Sequence, residues 1–389
     1  MEMKISTQTK QIILIFFAYY GITCFSNVYF VFGPFYEKLG ASPQSAGLFL
    51  SLFYFAMLLC RPVGSYIMEK FDIRKALLGS SLLCAVASAG IAFTLHHELP
   101  LLFFRAMTGI CVSVFAVSTI AAQTLLLDDK NRGFGLAVFT VGSLLPMATV
   151  VPLADWLQQQ GLDLLYLWLP VIISAICFAL CLGVKNINGS VTEEKKEWGS
   201  YGELIKMQGV KPLLLTAFIM SIADAMTLSV ASLANERLVS VSWFMVSEAV
   251  AGIIIRTAAF GLIARFPRIH LAAPASLLMG LSLVALSFSS SVFGFCFIGA
   301  LFGLGIGLGF PTALALVGDL LPIKCRPKAT GLVLLVLDIG WMTSPLIFGF
   351  ISPVLGVNWT FRFVGAAVAA SALVVYLKFW KKLKLTKTY

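Results

Sequence analysis

Strongly apolar stretches, each long enough to cross a bilayer, recur about twelve times along the 389 residues with little polar sequence between them. Crossing ~30 Å of hydrocarbon takes roughly 20 apolar residues as a helix, because lipid offers no partner to an unpaired backbone group. The pattern predicts an all-α polytopic membrane protein. Twelve transmembrane helices are expected near 11–33, 44–67, 76–95, 99–127, 133–157 and 163–184, then 211–233, 241–264, 271–289, 292–318, 330–352 and 361–380. Composition agrees, with 59% hydrophobic and only 12% charged residues, too little polar surface for a water-soluble chain of this size.

Lys and Arg stay on the cytoplasmic side of a membrane, so their placement tests this topology separately. Of the 28 basic residues, 22 fall in tails or loops that twelve crossings put inside, including Arg74, Lys75, Lys130, the Lys185 to Lys211 group and the Lys378 to Lys387 tail. Lys38, Arg237 and Arg362 fall outside, and Arg61, Arg105 and Arg256 lie within helices. Both termini are then expected in the cytoplasm, and the setting is expected to be a bacterial inner membrane. The same distribution speaks against a nucleic-acid partner despite the formal charge of +10, since no single basic face collects the charge.

The eight cysteines lie in or beside apolar stretches without close C-x-x-C spacing, and read as small core residues. His96-His97-Glu98 in a short outer loop is a weak metal constellation, so no metal and no cofactor is expected. The first apolar run is too long for a cleavable signal. Asn188-Gly-Ser190 and Asn358-Trp-Thr360 fit the glycosylation pattern, the first on the inner side. Gly299, Gly303, Gly305, Gly307 and Gly309 before Pro311 lack the strand and the Gly-Lys-Ser/Thr of a phosphate loop, and point instead to close helix packing and bending.

The longest polar stretch, Lys185 to Lys211, lies at mid-chain and divides the helices six and six. The expected organisation is a bundle over 1–184, a cytoplasmic linker over 185–210 and a second bundle over 211–389. A shift of 195 positions places Arg61 on Arg256, Phe71 on Phe266 and Ser81-Leu82-Leu83 on Ser276-Leu277-Leu278, a trace of an internal repeat. After the second helix, the run from Arg61-Pro62 to Lys75 is similar to the loop motif R-P-x-x-G-x-x-x-D-R-x-G-R-R. Glu69 takes the acidic position, Lys70 the following base, and Arg74 or Lys75 the terminal bases, while Ser65 and Asp72 replace the glycines. Arg105-Ala-Met-Thr-Gly109 is similar to the fourth-helix motif R-x-x-x-G, and Gly142-Ser-Leu-Leu-Pro146 keeps little of the fifth-helix antiporter motif. The chain thus resembles the major facilitator superfamily, and within it the drug and proton antiporters and small efflux permeases, including exporters of metal chelators. The resemblance implies two pseudo-symmetric six-helix bundles with a substrate site between them.

An ionisable residue inside hydrocarbon costs several kcal/mol unless it faces a bundle interior or water, which makes each a functional candidate. Arg105 is expected ~9–10 Å below the outer face, with Asp224 and Glu248 in the middle or outer half. The resemblance places Arg105 and Asp224 on cavity-lining helices with Glu248 close behind. Two roles suit these three: an anion anchor with one or two proton carriers, or a structural ion-pair network. Arg61 and Asp338 form a second expected pair at the inner gate, functional or static. Glu69, Lys70, Arg74 and Lys75 take the resemblance's gating positions, and Asn27, Tyr29 and Phe115 are candidate cavity residues, as is Tyr20.

With no Walker motif and no enzyme-like cluster of His, Asp and Glu near an interface, the sequence points to a transporter, acting as a monomer. The expected function is alternating-access, proton-coupled export of a small organic solute, anionic or zwitterionic, drug-like or siderophore-like. A proton-coupled importer of an anionic solute and a lipid flippase of the same fold stand as alternatives.

Overall fold

In the computed structural model the described residues are 7–70, 72–126, 141–185, 201–257, 266–322 and 325–383, with the backbone alone described at 62–70, 124 and 327. They are helical, without a strand. The chain divides into two compact units, Met1–Phe35 with Leu52–Thr192, and Tyr36–Ser51 with Glu193–Tyr389.

The first expected span is two helices, α1 (Thr7–Asn27) and α2 (Phe32–Lys38), joined by a 3-10 turn over Val28–Val31. The next three are α3 (Pro43–Lys70), α4 (Ile73–Phe93) and α5 (Glu98–Leu126). Of the fifth span, α6 (141–148) and α7 (Val150–Gln159) are described. The sixth is α8 (Asp163–Leu182). A short helix, α9 (Tyr201–Lys206), occupies part of the polar linker, with Leu204 buried and the Lys328 ammonium 4.1 Å from the Tyr201 ring centre.

The later spans are α10 (Val210–Ala225) continued by α11 (Thr227–Glu236), α12 (Ser242–Thr257), α13 (Ala272–Leu286), α14 (Val292–Leu320), α15 (Arg326–Leu355) and α16 (Val357–Lys378). Among the described residues ten helical segments are long and apolar enough to cross a membrane. Parts of the fifth and eighth expected spans, 133–140 and 258–264, lie outside the described residues.

Glycine decides how closely these helices pack. On α14, Gly299, Gly303 and Gly307 fall four residues apart and lie on the backbone of α12. A Cβ at Gly299 would come within 2.6 Å of the Phe244 carbonyl oxygen, and one at Gly303 would collide with that of Glu248. Gly305 and Gly309 face the other way, towards Ala275 and Met279 of α13 and Met220 of α10. One glycine-rich helix is thus held at close range by three neighbours, and it runs through Pro311 without ending. With no apolar effect to drive helices together in lipid, close backbone approach supplies the van der Waals contact.

The start of α3 belongs to the second unit. Gly47 and Gly349 lie against each other there, with a Cβ on Gly47 only 3.1 Å from the Cα of Gly349, and the Ser51 hydroxyl donates to the Met342 carbonyl at 2.6 Å. At the far end of the chain the buried Trp380 indole donates to Thr216 Oγ1 at 2.9 Å and ties the C-terminal segment to α10.

Gly303→Val is therefore expected to destabilise the protein by about 1–3 kcal/mol, the cost of overpacking a close contact. Gly318→Ala, where a Cβ meets open space, should leave stability unchanged or raise it slightly through helix propensity. Thermal unfolding of the two variants in detergent checks the contrast.

Candidate functional site

Within the first unit, Arg105 is about 1% exposed. Its guanidinium lies 4.2 Å from the Tyr29 ring centre and 4.4 Å from that of Phe53, with Tyr54 and Tyr166 also in electrostatic range. The R-x-x-x-G spacing explains the placement. Gly109, one turn after Arg105 on the same face, meets the Phe53 carbonyl of α3, so α5 comes close enough for the arginine to reach over the Phe53 ring. A planar, weakly hydrated guanidinium between rings recovers part of its lost hydration through the cation–π attraction, about 2 kcal/mol for a desolvated pair.

Tyr29 is there because α1 stops at Asn27. The Asn27 amide turns back to donate to the Thr23 carbonyl at 2.7 Å. Carbonyls of the 3-10 turn are also bonded from neighbouring helices, Val31 by Gln158 Nε2 at 3.1 Å and Val28 by the Tyr166 hydroxyl at 3.4 Å. Tyr29 also shares a side-chain hydrogen bond with Ser88. Phe115 is fully buried. Tyr20 pairs with Thr149 Oγ1 at 2.7 Å.

The second unit collects the other buried charges. Glu248 on α12 is about 1% exposed, and its electrostatic neighbours are Asp224 and Arg256. Its Oε2 atom has no hydrogen-bond partner among the described residues. Asp224, half-buried, interacts with Arg256 and shares a hydrogen bond with the side chain of Trp341 on α15. It stands where the seventh span is interrupted at Met226, between α10 and α11. The Thr227 hydroxyl donates to the Asp224 carbonyl at 2.6 Å, and Ser344 on α15 donates to the Ile222 carbonyl at 3.1 Å. Gly303 lets α14 close over the Glu248 backbone and helps exclude water from this carboxylate.

Arg105, Asp224 and Glu248 stand out in the sequence as buried charges, and within the second unit Asp224 and Glu248 lie in electrostatic range of each other. Arg256 was passed over as their partner. The signal was present: Arg256 lies eight residues after Glu248, roughly 12 Å along the same helix, and helical side chains lean back towards the N-terminus. Trp341 and the rings of Phe53, Tyr54 and Tyr166 were also missed, since 13% of the chain is aromatic and nothing in the sequence marks these few. Arg105 belongs to the first unit and Asp224, Glu248 and Asp338 to the second. Asp338 is buried, and Arg61, half-buried, falls in the first unit.

In the loop motif, Asp72 caps α4, its carboxylate accepting from the Arg74 amide at 3.4 Å. Its appearance where a glycine was expected thus has a local cause. Arg74 Nη2 donates to the Leu182 carbonyl at 3.0 Å, closing the C-terminal end of α8, and Lys75 is exposed. The Glu69 and Lys70 side chains and the Asn188 sequon lie outside the described residues. Asn358 accepts from Arg237 through Oδ1, and its Nδ2 donates to Glu236 at 3.3 Å.

Membrane-spanning helices that carry buried charge inside two helical units fit a membrane transporter, because such charges are costly unless they face a protein interior or a water-filled path. The chain belongs to the Major Facilitator Superfamily, whose family model matches residues 12–254 and 213–388. Solved structures agree in fold. A bacterial homologue of the human lysosomal transporter Spinster, captured inward-facing and unoccupied, is 14% identical with a TM-score of 0.75, covering 96% of this chain and 98% of that one. A mutant of a peptide transporter, POT, is 15% identical with a TM-score of 0.74, covering 94% and 93%. The same mutant in complex with sulfate gives 15% and 0.73, covering 95% and 94%. No curated protein sequence matches the chain. The protein is thus a multi-pass membrane transporter rather than an enzyme.

Arg256→Gln should cost on the order of 2 kcal/mol, below the usual figure for a broken buried pair because Arg256 is half-buried. Adding Glu248→Gln should restore about half of that loss, as expected for groups that share one interaction. Thermal midpoints of the two single variants and the double variant test the coupling, and strictly additive losses would contradict it.

Proposed function

We propose that this transporter exports a small organic solute, anionic or zwitterionic and of drug-like or siderophore-like character, in exchange for protons by alternating access. One observation carries the reading: two buried or half-buried carboxylates, Asp224 and Glu248, lie in electrostatic range of each other and of Arg256 inside a membrane-spanning unit. Two carboxylates beside one guanidinium balance their charge when one proton is bound, and an uncompensated charge in hydrocarbon is costly. A proton entering and leaving this cluster would change its charge at the point where the seventh span is interrupted, which is where a change of helix geometry is cheapest.

Arg105 is the proposed selectivity element for the anionic group of the solute. The rings that hold it supply a hydrophobic and polarisable surface, and Tyr29 and Asn27 stand at the break in the first span. Arg61, Asp338, Glu69, Lys70, Arg74 and Lys75 are proposed as gating residues that bias the balance between conformations. The proposed setting is a bacterial inner membrane with both termini in the cytoplasm, following the distribution of basic residues.

Everted membrane vesicles loaded against a panel of anionic and zwitterionic drugs and metal chelates test the reading. Energised vesicles of the wild type should accumulate a solute and release protons as they do so. Asp224→Asn and Glu248→Gln should lower proton-driven accumulation at least tenfold while solute binding survives. Arg105→Lys, which keeps the charge but loses the flat stacking face, should weaken solute binding by about tenfold, or 1.4 kcal/mol. Accumulation only in right-side-out vesicles would make the protein an importer. Full proton-driven activity in both acid variants would refute the coupling role.

A further inference from the structure

The first unit carries a groove of about 380 Å³ between α4 and α5 that the transport reading does not use. Lys75 stands at one end of it, Gly79 forms its floor, and Leu83, Ile110, Cys111 and Val114 line the rest. Lys75 lies in the first turn of a membrane span that begins at Ile73, so its ammonium is at headgroup level while the groove continues roughly 12 Å along the helix to Leu83. Leu83 is 48% and Ile110 43% exposed, so the trough opens on the surface of this unit. A Cβ built at Gly79 meets nothing within 4 Å, which means the floor is empty space and not a helix contact.

The few polar groups near it are already committed. The Ser80 hydroxyl donates to the Ala76 carbonyl at 2.6 Å, and the Cys111 thiol shares a hydrogen bond with Cys84. Arg74, next to Lys75, is held by the Leu182 carbonyl. What remains among the described residues that line it is an apolar trough with the Lys75 ammonium exposed at its interfacial end. A neutral lipid would fill the trough and leave the ammonium unused, and a free anion would use the ammonium and leave the trough empty. An amphiphile with an anionic head satisfies both.

We propose that this groove is a binding site for an anionic phospholipid, whose acyl chain lies over Gly79 between Leu83 and Ile110 and whose phosphate pairs with Lys75. The site is independent of the transported solute. Because Lys75 sits in the first turn of α4, directly after the junction with α3, a lipid held there connects the charge of the surrounding leaflet to that junction.

Full-length protein reconstituted into nanodiscs with phosphatidylglycerol carrying a diazirine in its acyl chain gives the test. After irradiation and digestion, labelled peptides should map to residues 75–83 and 110–114. Lys75→Gln should reduce labelling there about fivefold, the effect of one cation at an anionic surface. The series Gly79→Ala, Gly79→Leu and Gly79→Trp should reduce it step by step, with thermal midpoints held near wild type because the added atoms enter open space. If Gly79→Trp lowers the midpoint, Ile110→Trp fills the same trough from the facing helix and should give the same loss of labelling. The matching phosphatidylcholine probe should label these peptides weakly and without regard to Lys75. Equal labelling by both lipids with no effect of Lys75→Gln, or undiminished labelling when the trough is filled by tryptophan, would overturn the proposal.

Discussion

Charge held inside hydrocarbon is the constraint around which this molecule is arranged. Water is absent from the bilayer core, so each buried ionisable group must find compensation among side chains of its own surroundings or remain at high cost. The two units meet this demand by different chemistry. In the first, the Arg105 guanidinium is surrounded by rings, with Tyr29 and Phe53 in direct cation–π contact. In the second, Arg256 is set against two carboxylates, and Trp341 bonds to one of them. Aromatic compensation is nearly indifferent to protonation, whereas the acidic cluster changes its net charge with every proton gained or lost. That asymmetry is why the proposed coupling function is assigned to the second unit and the proposed solute selectivity to the first.

Both arrangements depend on interruptions in the helices that present them. Asn27 and the turn over Val28–Val31 end α1, and Met226 separates α10 from α11 beside Asp224. At each interruption side chains of neighbouring helices bond to backbone carbonyls, Gln158 and Tyr166 to Val31 and Val28 in one case and Ser344 to Ile222 in the other. Such breaks are tolerated at membrane depth only where the surrounding protein supplies partners. The glycines of α14 bring backbones close around the same region, so that Glu248 lies under a neighbouring helix while Asp224 stays partly open.

Much of this could be read from the chain alone, for physical reasons that also explain what could not. Spans are legible because crossing a bilayer fixes both length and apolarity, and the helix ends fall within a few residues of expectation for most of them. The first span is the exception: it runs to Lys38 because the 3-10 turn carries the chain onward through Val28–Val31, a stretch with neither glycine nor proline to announce it. Buried ionisable residues are legible because they are rare, so Arg105, Asp224 and Glu248 stood out. The rings around Arg105 come from distant helices, chosen by packing and not by any local pattern, whereas Arg256 shares a helix with Glu248 and lay within reach of a sequence argument. The glycine run on α14 signalled close approach, yet only the structure separates the face towards Glu248 from the face towards Met279. Asp72 departs from the motif because it caps a helix, a local requirement that a family pattern does not reveal.

The account stands on an exchangeable proton within the Asp224, Glu248 and Arg256 cluster, and that proton can be observed without knowing the solute. Infrared difference spectra of the reconstituted protein, recorded across a pH titration, report the carbonyl stretch of buried carboxylic acids. A titrating band that is present in the wild type and lost or shifted in Glu248→Gln and Asp224→Asn is the predicted result. Spectra with no titrating carboxylic-acid band, or a band indifferent to both substitutions, would contradict it.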